Sequence, residues 1–560
     1  MSLPTINKEE IKGLITSIYQ DKKNYNNIVK LLNIYSKYPP ESFIDEQDGN
    51  LQTIRYLTLN LFKIFKKLAE LNLLSGAGST ANSNEKILIQ WCRKNYELYK
   101  SKILLDYMTQ IKVANSLSLD CLDIYMNCIE LESIYFSSKR GLPYFPNRTL
   151  QKLISRLLFT GNKGNDLAYI LDEFADKYYK KYVDVQFYFQ NEFNNLITDG
   201  TYPPEKNNNL VKFWIKLMNH DNHYDSDDCD LEILVPHPPS IMENEHKFKD
   251  FVENNWLFIL SKVTRPDQYK IILLILHKRI IPHFNTPSKL MDFLTESYNL
   301  QYVVDDDDDD DDDNHSDNNH NNNGSIVIPL LALNGLFELM KNYNLEYPNF
   351  YFKLYQLFTP DMMHVKYRSR FLRLSDIFLS STHLSAQLVA SFIKKMARLT
   401  VNASTSAIIS IIPFIYNLLK KHPTCMIMLH DPQYIKTPGN VFSTNVKKME
   451  YIDSFDNDEK DPESTNAIES SLWELETLMH HYHPNVASLA KIFKNPFRKY
   501  SYNLEDFLDW NYDTLLKAEL KRSLKILPAL NHEFTSNGSN SADHKKKYTV
   551  FDDFVQNVAF

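Results

Sequence analysis

The most constraining feature of this chain is a spacing. From residue 11 onward, apolar side chains return every three or four positions, in block after block. Ile11, Leu14, Ile15 and Ile18 fall at i, i+3, i+4 and i+7, which puts all four on one side of an α-helix. Asn7 and Glu10 stand where a capping box would open that helix. After a short polar turn, Tyr25, Ile28, Val29 and Leu32 repeat the pattern, so the two segments predict a helix pair. Leu61, Phe65 and Leu68 continue it, as do Leu167, Ile170, Leu171 and Phe174, and then Tyr269, Ile272, Leu273 and Leu276. Thr286 before Pro287 reads as an N-cap with proline at the first helical position. Helix pairs bury their apolar stripes by stacking on neighbouring pairs. The expected fold class is therefore all-α, an irregular HEAT/armadillo-like helical repeat (an α-solenoid) without a fixed period.

Composition excludes the main alternatives. Glycine supplies the positive-φ turns of hairpins and phosphate loops, and there are only 12 glycines in 560 residues. A sheet-dominated or nucleotide-binding α/β fold is disfavoured on that ground. The 34 tyrosines and 33 phenylalanines suit thick interfaces between helices. The five cysteines, Cys92, Cys121, Cys128, Cys229 and Cys425, are scattered and odd in number, which fits a reducing compartment. The polar first residues do not resemble a secretory signal. Ala403–Leu419 is uncharged, but Pro413 and several Ser and Thr interrupt it, so it reads as a buried helix. A soluble intracellular protein is expected.

Asp305–Asp313 is an unbroken run of nine aspartates, followed by Asn and His. Like charges repel and nothing there can enter a core, so residues 301–325 are expected to be a disordered acidic linker. It divides the chain into an N-terminal helical repeat region (1–300), a second helical domain (326–530) and a polar tail (531–560). In the second domain Leu336, Leu339 and Met340 share a face, as do Tyr351, Leu354 and Phe358, then Phe371, Leu374 and Phe378, then Leu388, Phe392, Met396 and Leu399. In the tail, Phe551, Phe554 and Val555 have the spacing of a short helix able to dock.

Charge in the second domain is arranged in blocks. Between Asp361 and Cys425 there are nine basic residues and two acids: Lys366, Arg368, Arg370, Arg373, Lys394, Lys395, Arg398, Lys420 and Lys421 against Asp361 and Asp376. Arg370 with Arg373, and Lys395 with Arg398, are three apart and share a helical face. One reading is a basic surface that attracts phosphates without reading sequence. The other is a solvated face, or one paired with the block from Asp453 to Glu476, where nine acids face one lysine, Lys460. Trp473 sits on a short apolar helix and reads either as core or as a partner-binding hot spot. The candidate RNA- or partner-binding residues are thus Arg370, Arg373, Lys394, Lys395, Arg398 and Trp473. No catalytic constellation emerges: phosphate-loop and nucleophile-elbow motifs are absent from the sequence. His422, Cys425 and His430 offer three zinc ligands where four are needed. No metal, cofactor or small-molecule substrate is expected.

Four stretches carry a resemblance: LLALNGLFELMKNYNLEYPNFYFKLYQLF (330–358), RFLRLSDIFLSSTHL within 366–384, LVASFIKKMARL (388–399) and ESSLWELETLMHHYHP (469–484). Together they resemble the CCAAT-binding-factor domain shared by nucleolar complex proteins, over roughly 330–527, and in combination they are similar to the fourth branch of that family. Ser385 and Ser454 stand where that pattern has proline. The resemblance implies a non-enzymatic ribosome assembly factor of the nucleolus. It implies a complex with nucleolar protein fourteen inside the small-subunit processome, and a role in small-subunit rRNA processing and maturation or export of the particle. The residues alone leave two other classes open: a helical-repeat RNA-binding protein that contacts rRNA directly, and a karyopherin-like transport adaptor.

Overall fold

A computed structural model describes residues 8–40, 49–74, 83–109, 115–137, 142–159, 168–200, 209–220, 232–300, 324–429 and 453–523. The acidic run expected as a linker, the 531–560 tail and Asn7 of the expected capping box lie outside those residues, as does His430. Among the described residues all regular structure is helical; the one β-type pairing is a parallel bridge between Tyr182 and Glu232. This is the all-α fold that the apolar spacing predicts, and the chain divides into two compact units, 1–350 and 351–560.

In the first unit the spacing residues point inward as expected. Ile11, Ile15 and Ile18 of helix Lys8–Gln20 are buried, and so are Ile28 and Leu32 of helix Asn27–Tyr35. Packing runs along the chain from neighbour to near neighbour. Helix Gly49–Glu70 lies on Ser116–Tyr135, Asn147–Phe159 on Val183–Thr198, and Val183–Thr198 on Glu245–Leu260. Because each helix is covered by those close in sequence, the unit is built as a repeat array. Aromatic rings fill the interfaces: Trp214 stacks on Phe193 at 4.5 Å and meets Trp256 edge-on at 5.9 Å. Pro287 does open a helical turn, but the Thr286 hydroxyl donates to Glu253 at 2.6 Å instead of capping that turn.

A buried ionic network lies within this array. Lys100, in a π-helical turn from Tyr99 to Leu104, donates to Glu132 at 2.6 Å, Glu97 at 2.9 Å and the Thr149 hydroxyl at 3.0 Å. Glu132 also accepts from the Tyr96 and Thr149 hydroxyls, at 2.9 and 2.6 Å. Burial opposes the ammonium charge, but the two carboxylates outweigh it and hold the Lys100 pKa above its ordinary value. The network joins helices Ser83–Leu98, Ser116–Tyr135 and Asn147–Phe159.

The division at 350 falls later than residue 326, where the sequence reading began the second domain. Helix Gly324–Tyr343 belongs to the first unit because it packs on Pro266–Ile275 and Met291–Asn299. Its Ile328, Leu331, Leu333, Leu336 and Leu339 are all buried, so apolar residues cover most of its circumference. Such a helix does not reveal from its own pattern which neighbour it will choose. Gly335 permits the close approach: a Cβ there would lie 2.7 Å from Leu294 Cδ2 and 2.8 Å from Leu276 Cδ2.

The second unit is centred on helix Thr405–Lys421, in which every residue from Thr405 to Leu419 is buried, Pro413 included. The apolar stretch around 403–419 is therefore a core helix, and no described helix is long and apolar enough to cross a membrane. Helix Ala386–Thr400 and the Pro484–Ala490 helix pack on it. Ser385 opens helix Ala386–Thr400 by accepting from the Leu388 amide at 3.3 Å, so the serine in place of proline is the cap. The polar residues Ser380–His383 before it do not take that role.

Gly335→Val should destabilise the first unit by about 1–3 kcal/mol through overpacking against Leu276 and Leu294, read as a lower denaturation midpoint with unchanged helical circular dichroism.

Candidate functional site

The basic block and the acidic block meet. On helix Ala386–Thr400, Lys394 and Arg398 are one turn apart and point toward residues 453–479. The Lys394 ammonium, fully buried, lies 2.8 Å from the equally buried Glu474 carboxylate and 3.3 Å from Asp453, and donates to the Ser471 carbonyl at 2.6 Å. Arg398 lies 2.8 Å from Asp453 and 3.0 Å from Glu474. Two cations thus face two anions in a compensated cluster. Trp473 and Phe455 cover it: the Arg398 guanidinium is 4.9 Å from the Trp473 ring centre and 6.0 Å from that of Phe455.

Asp453 is the hub. Partial burial favours its protonated form, but the Ser470 hydroxyl, the Phe455 amide at 3.2 Å, Lys394 and the Trp473 indole at 3.3 Å favour the carboxylate. The second group wins and brings its pKa down to about 2.

Most of the other cations of the basic block are also engaged. Arg373 makes a two-pronged contact with Glu505 at 2.8 and 2.6 Å and reaches Asp509 at 3.1 Å. Lys421 pairs with Asp376 at 3.1 Å, and Lys420 donates to the Phe497 carbonyl at 3.1 Å. Arg368 donates to the carbonyls of Met363 and Trp510, both at 2.8 Å. Lys395 sits 4.0 Å from the Tyr355 ring centre, and burial lowers its pKa. Arg370 is half-buried, and Lys366 is exposed. Of the two readings the sequence left open, the contacts agree with pairing to the acidic block for Lys394 and Arg398, while Arg373 takes its counter-ions from Glu505 and Asp509. Of the zinc candidates, His422 Nε2 is bonded to the Leu379 carbonyl at 2.8 Å, and the Cys425 thiol lies against the Ala386 carbonyl. Among the described residues, no group of three or more His, Cys, Asp or Glu is arranged to hold a metal ion.

Trp473 is divided between two roles. Its indole closes the ionic cluster, yet the residue is 40% exposed. The exposed side opens into a groove of about 530 Å³ floored by Met428, Leu472, Leu475, Met479 and Phe493. Glu476, His480, Lys491 and Lys494 form its polar rim. The Leu472 amide donates to the Met428 carbonyl at 3.1 Å and ties two walls together. The sequence points to Trp473 but not to the groove, because Met428 lies 45 residues before it in the chain and Phe493 20 residues after it. A second exposed apolar strip lies on helix Tyr512–Lys521, where Tyr512, Leu516 and Leu520 recur at i, i+4 and i+8.

The class this architecture defines is a helical-repeat protein whose second unit is held by a buried ionic cluster beside an apolar groove. Residues 329–490 match the CBF/Mak21 family, and residues 4–201 match the family described as Nucleolar complex protein 4-like, TPR repeats. The chain is 52% identical over 539 residues to Nucleolar complex protein 4 of Saccharomyces cerevisiae, covering 93% of each chain. It is 28% identical over 554 residues to Nucleolar complex protein 4 homolog B of Xenopus laevis, covering 93% of this chain and 92% of the other. With the human Nucleolar complex protein 4 homolog it shares 36% identity over 280 residues, 49% of this chain and 47% of that one. The chain belongs to the nucleolar complex protein 4 family.

Lys394→Ala should destabilise the second unit by about 3–5 kcal/mol, because it leaves Glu474 buried beside one fewer cation. Adding Glu474→Leu should recover part of that loss, which chemical denaturation of the single and double variants will read. The depressed pKa of Asp453 makes one contribution to the acid sensitivity of the second unit. Its contribution is complete above the ordinary aspartate range near pH 4 and is lost as pH falls through about 2. Asp453→Asn should flatten the fall in stability between those values.

Proposed function

We propose that the chain is a non-enzymatic assembly factor of the small ribosomal subunit. It acts in the nucleolus, pairs with nucleolar protein fourteen in the small-subunit processome, and supports small-subunit rRNA processing and maturation or export of the particle. The observation that carries this reading is the 52% identity to the yeast Nucleolar complex protein 4 along 93% of both chains, with family matches in both units.

The physical chemistry supports a protein that binds other macromolecules rather than one that turns over a substrate. The strongest cluster of charged side chains holds helices together and does not face a cavity as a poised acid and base. On helix Tyr512–Lys521 the exposed apolar side chains recur in helical register, as on a protein-binding face. Tyr512, Leu516 and Leu520 are 64%, 60% and 76% exposed on one helix. Phosphate binding through Lys394 or Arg398 would require breaking the buried cluster, so protein contact is the favoured mode of assembly for this unit.

Affinity purification of the tagged chain from nuclear extract, with identification of bound protein and RNA, tests the proposal. The expected result is near-equal recovery of nucleolar protein fourteen together with small-subunit precursor rRNA. L516D/L520D should reduce recovery of that protein about tenfold, equivalent to ~1.4 kcal/mol, with an unchanged thermal transition. Recovery of neither nucleolar protein fourteen nor precursor rRNA with the wild-type chain would refute the proposal.

A further inference from the structure

Lys394, Arg398 and Arg373 are taken up by acids, but a run of cations further along the second unit is not. Between Glu476 and Glu505 the chain carries no acid, and Lys491, Lys494, Arg498 and Lys499 all fall in that interval. All four are exposed, and none makes an ion pair among the described residues.

The segment that carries them is fixed by what it turns inward. Phe493, Phe497 and Tyr502 close around Tyr416 of helix Thr405–Lys421, with ring centres 6.3, 4.4 and 4.8 Å from it. The same helix holds the backbone. The Tyr416 hydroxyl donates to the Lys499 carbonyl at 2.9 Å, and Lys420 donates to the Phe497 carbonyl at 3.1 Å. The Asn417 side-chain amide donates to the Tyr502 carbonyl, and the Tyr502 amide donates back to Asn417, both at 2.8 Å. With its rings and carbonyls engaged, the segment leaves the four cations in water. Tyr500, next to Lys499, is 88% exposed.

We propose that residues 491–500 bind single-stranded RNA directly, alongside the protein contact proposed above. Phosphates lie on Lys491, Lys494, Arg498 and Lys499, and a base stacks on Tyr500. Free cations on a fixed backbone suit a polyanion whose sequence is not read. A ring that stands clear of the surface offers its face to a base, whereas an apolar protein anchor needs a pocket to enter. The choice of RNA over DNA rests on the assembly role proposed above; the charges and the ring do not.

Fluorescence anisotropy of the purified full-length chain with a labelled single strand of about twelve uridines tests this over a range of salt concentrations. K494A/R498A/K499A should weaken binding at least about tenfold at low salt and reduce the slope of log K against log salt by about 2. Y500A should weaken binding about tenfold with the slope unchanged, and Y500F should bind as the wild type does. These side chains are exposed, so the thermal transition of each variant should stay in place. The proposal is overturned if the wild type does not bind the single strand, or if the triple variant binds with the affinity and slope of the wild type. Wild-type affinity in Y500A removes the stacking contact and overturns it too. Tighter binding of polyglutamate or of phosphatidylserine vesicles than of RNA also overturns it, because an acidic protein or a lipid surface is then the occupant. Loss of RNA binding by the purified chain leaves recovery of nucleolar protein fourteen from nuclear extract unaffected, so the two readings fail separately.

Discussion

The pairing of Lys394 with Glu474 is the contact on which the second unit depends. Both side chains are fully buried, and they are 80 residues apart in sequence. Taking either charge out of water alone would cost several kcal/mol, so each is tolerable only with the other in place. Arg398 and Asp453 complete the compensation at the edge of the cluster, where water still reaches. Helix Trp473–Met479 is only two turns long and would not persist unaided. Its position against helix Ala386–Thr400 follows from Glu474, and with it the orientation of Trp473. A nearby contact, the Ser391 hydroxyl with Thr465 and the Pro462 carbonyl, holds the same stretch from its other end.

The groove is a consequence of this arrangement. One side of the Trp473 ring meets Arg398 and Asp453, which fixes the side chain, and the other faces the groove. A fixed, partly exposed indole loses little conformational entropy on binding. The first unit uses related chemistry in a different place. Lys100, Glu132 and Thr149 form a buried network whose donors and acceptors satisfy one another, and it joins three helices. In both units a lysine stands where hydroxyls, carbonyls and carboxylates converge, so its three donors are used.

Helices were legible in the sequence because their signals are local. The spacing of Ile11, Ile15 and Ile18, and the apolar run from 405 to 419, each report a buried face within a few turns of chain. Serine at 385 was legible only as a departure from the family pattern, although its capping bond spans three residues. Contacts between distant segments were not legible. The basic block and the acidic block each stood out, and their mutual pairing was one of two open readings. Nothing in either block says that Lys394 meets Glu474 while Arg373 meets Glu505, since long-range partners are chosen by tertiary packing. The place of helix Gly324–Tyr343 was hidden for the same reason: a helix apolar on most sides fits several neighbours.

The central claim is that the cations of the 394–398 turn hold the second unit together and are not offered to phosphates. Lysine acylation of the native full-length chain, read by mass spectrometry with and without small-subunit precursor rRNA, tests it most directly. Lys394 should stay unmodified in both conditions while exposed Lys366, Lys491 and Lys494 react in the free chain. Modification of Lys394 at the rate of Lys491 in the free chain, with protection appearing when RNA is added, would contradict the account.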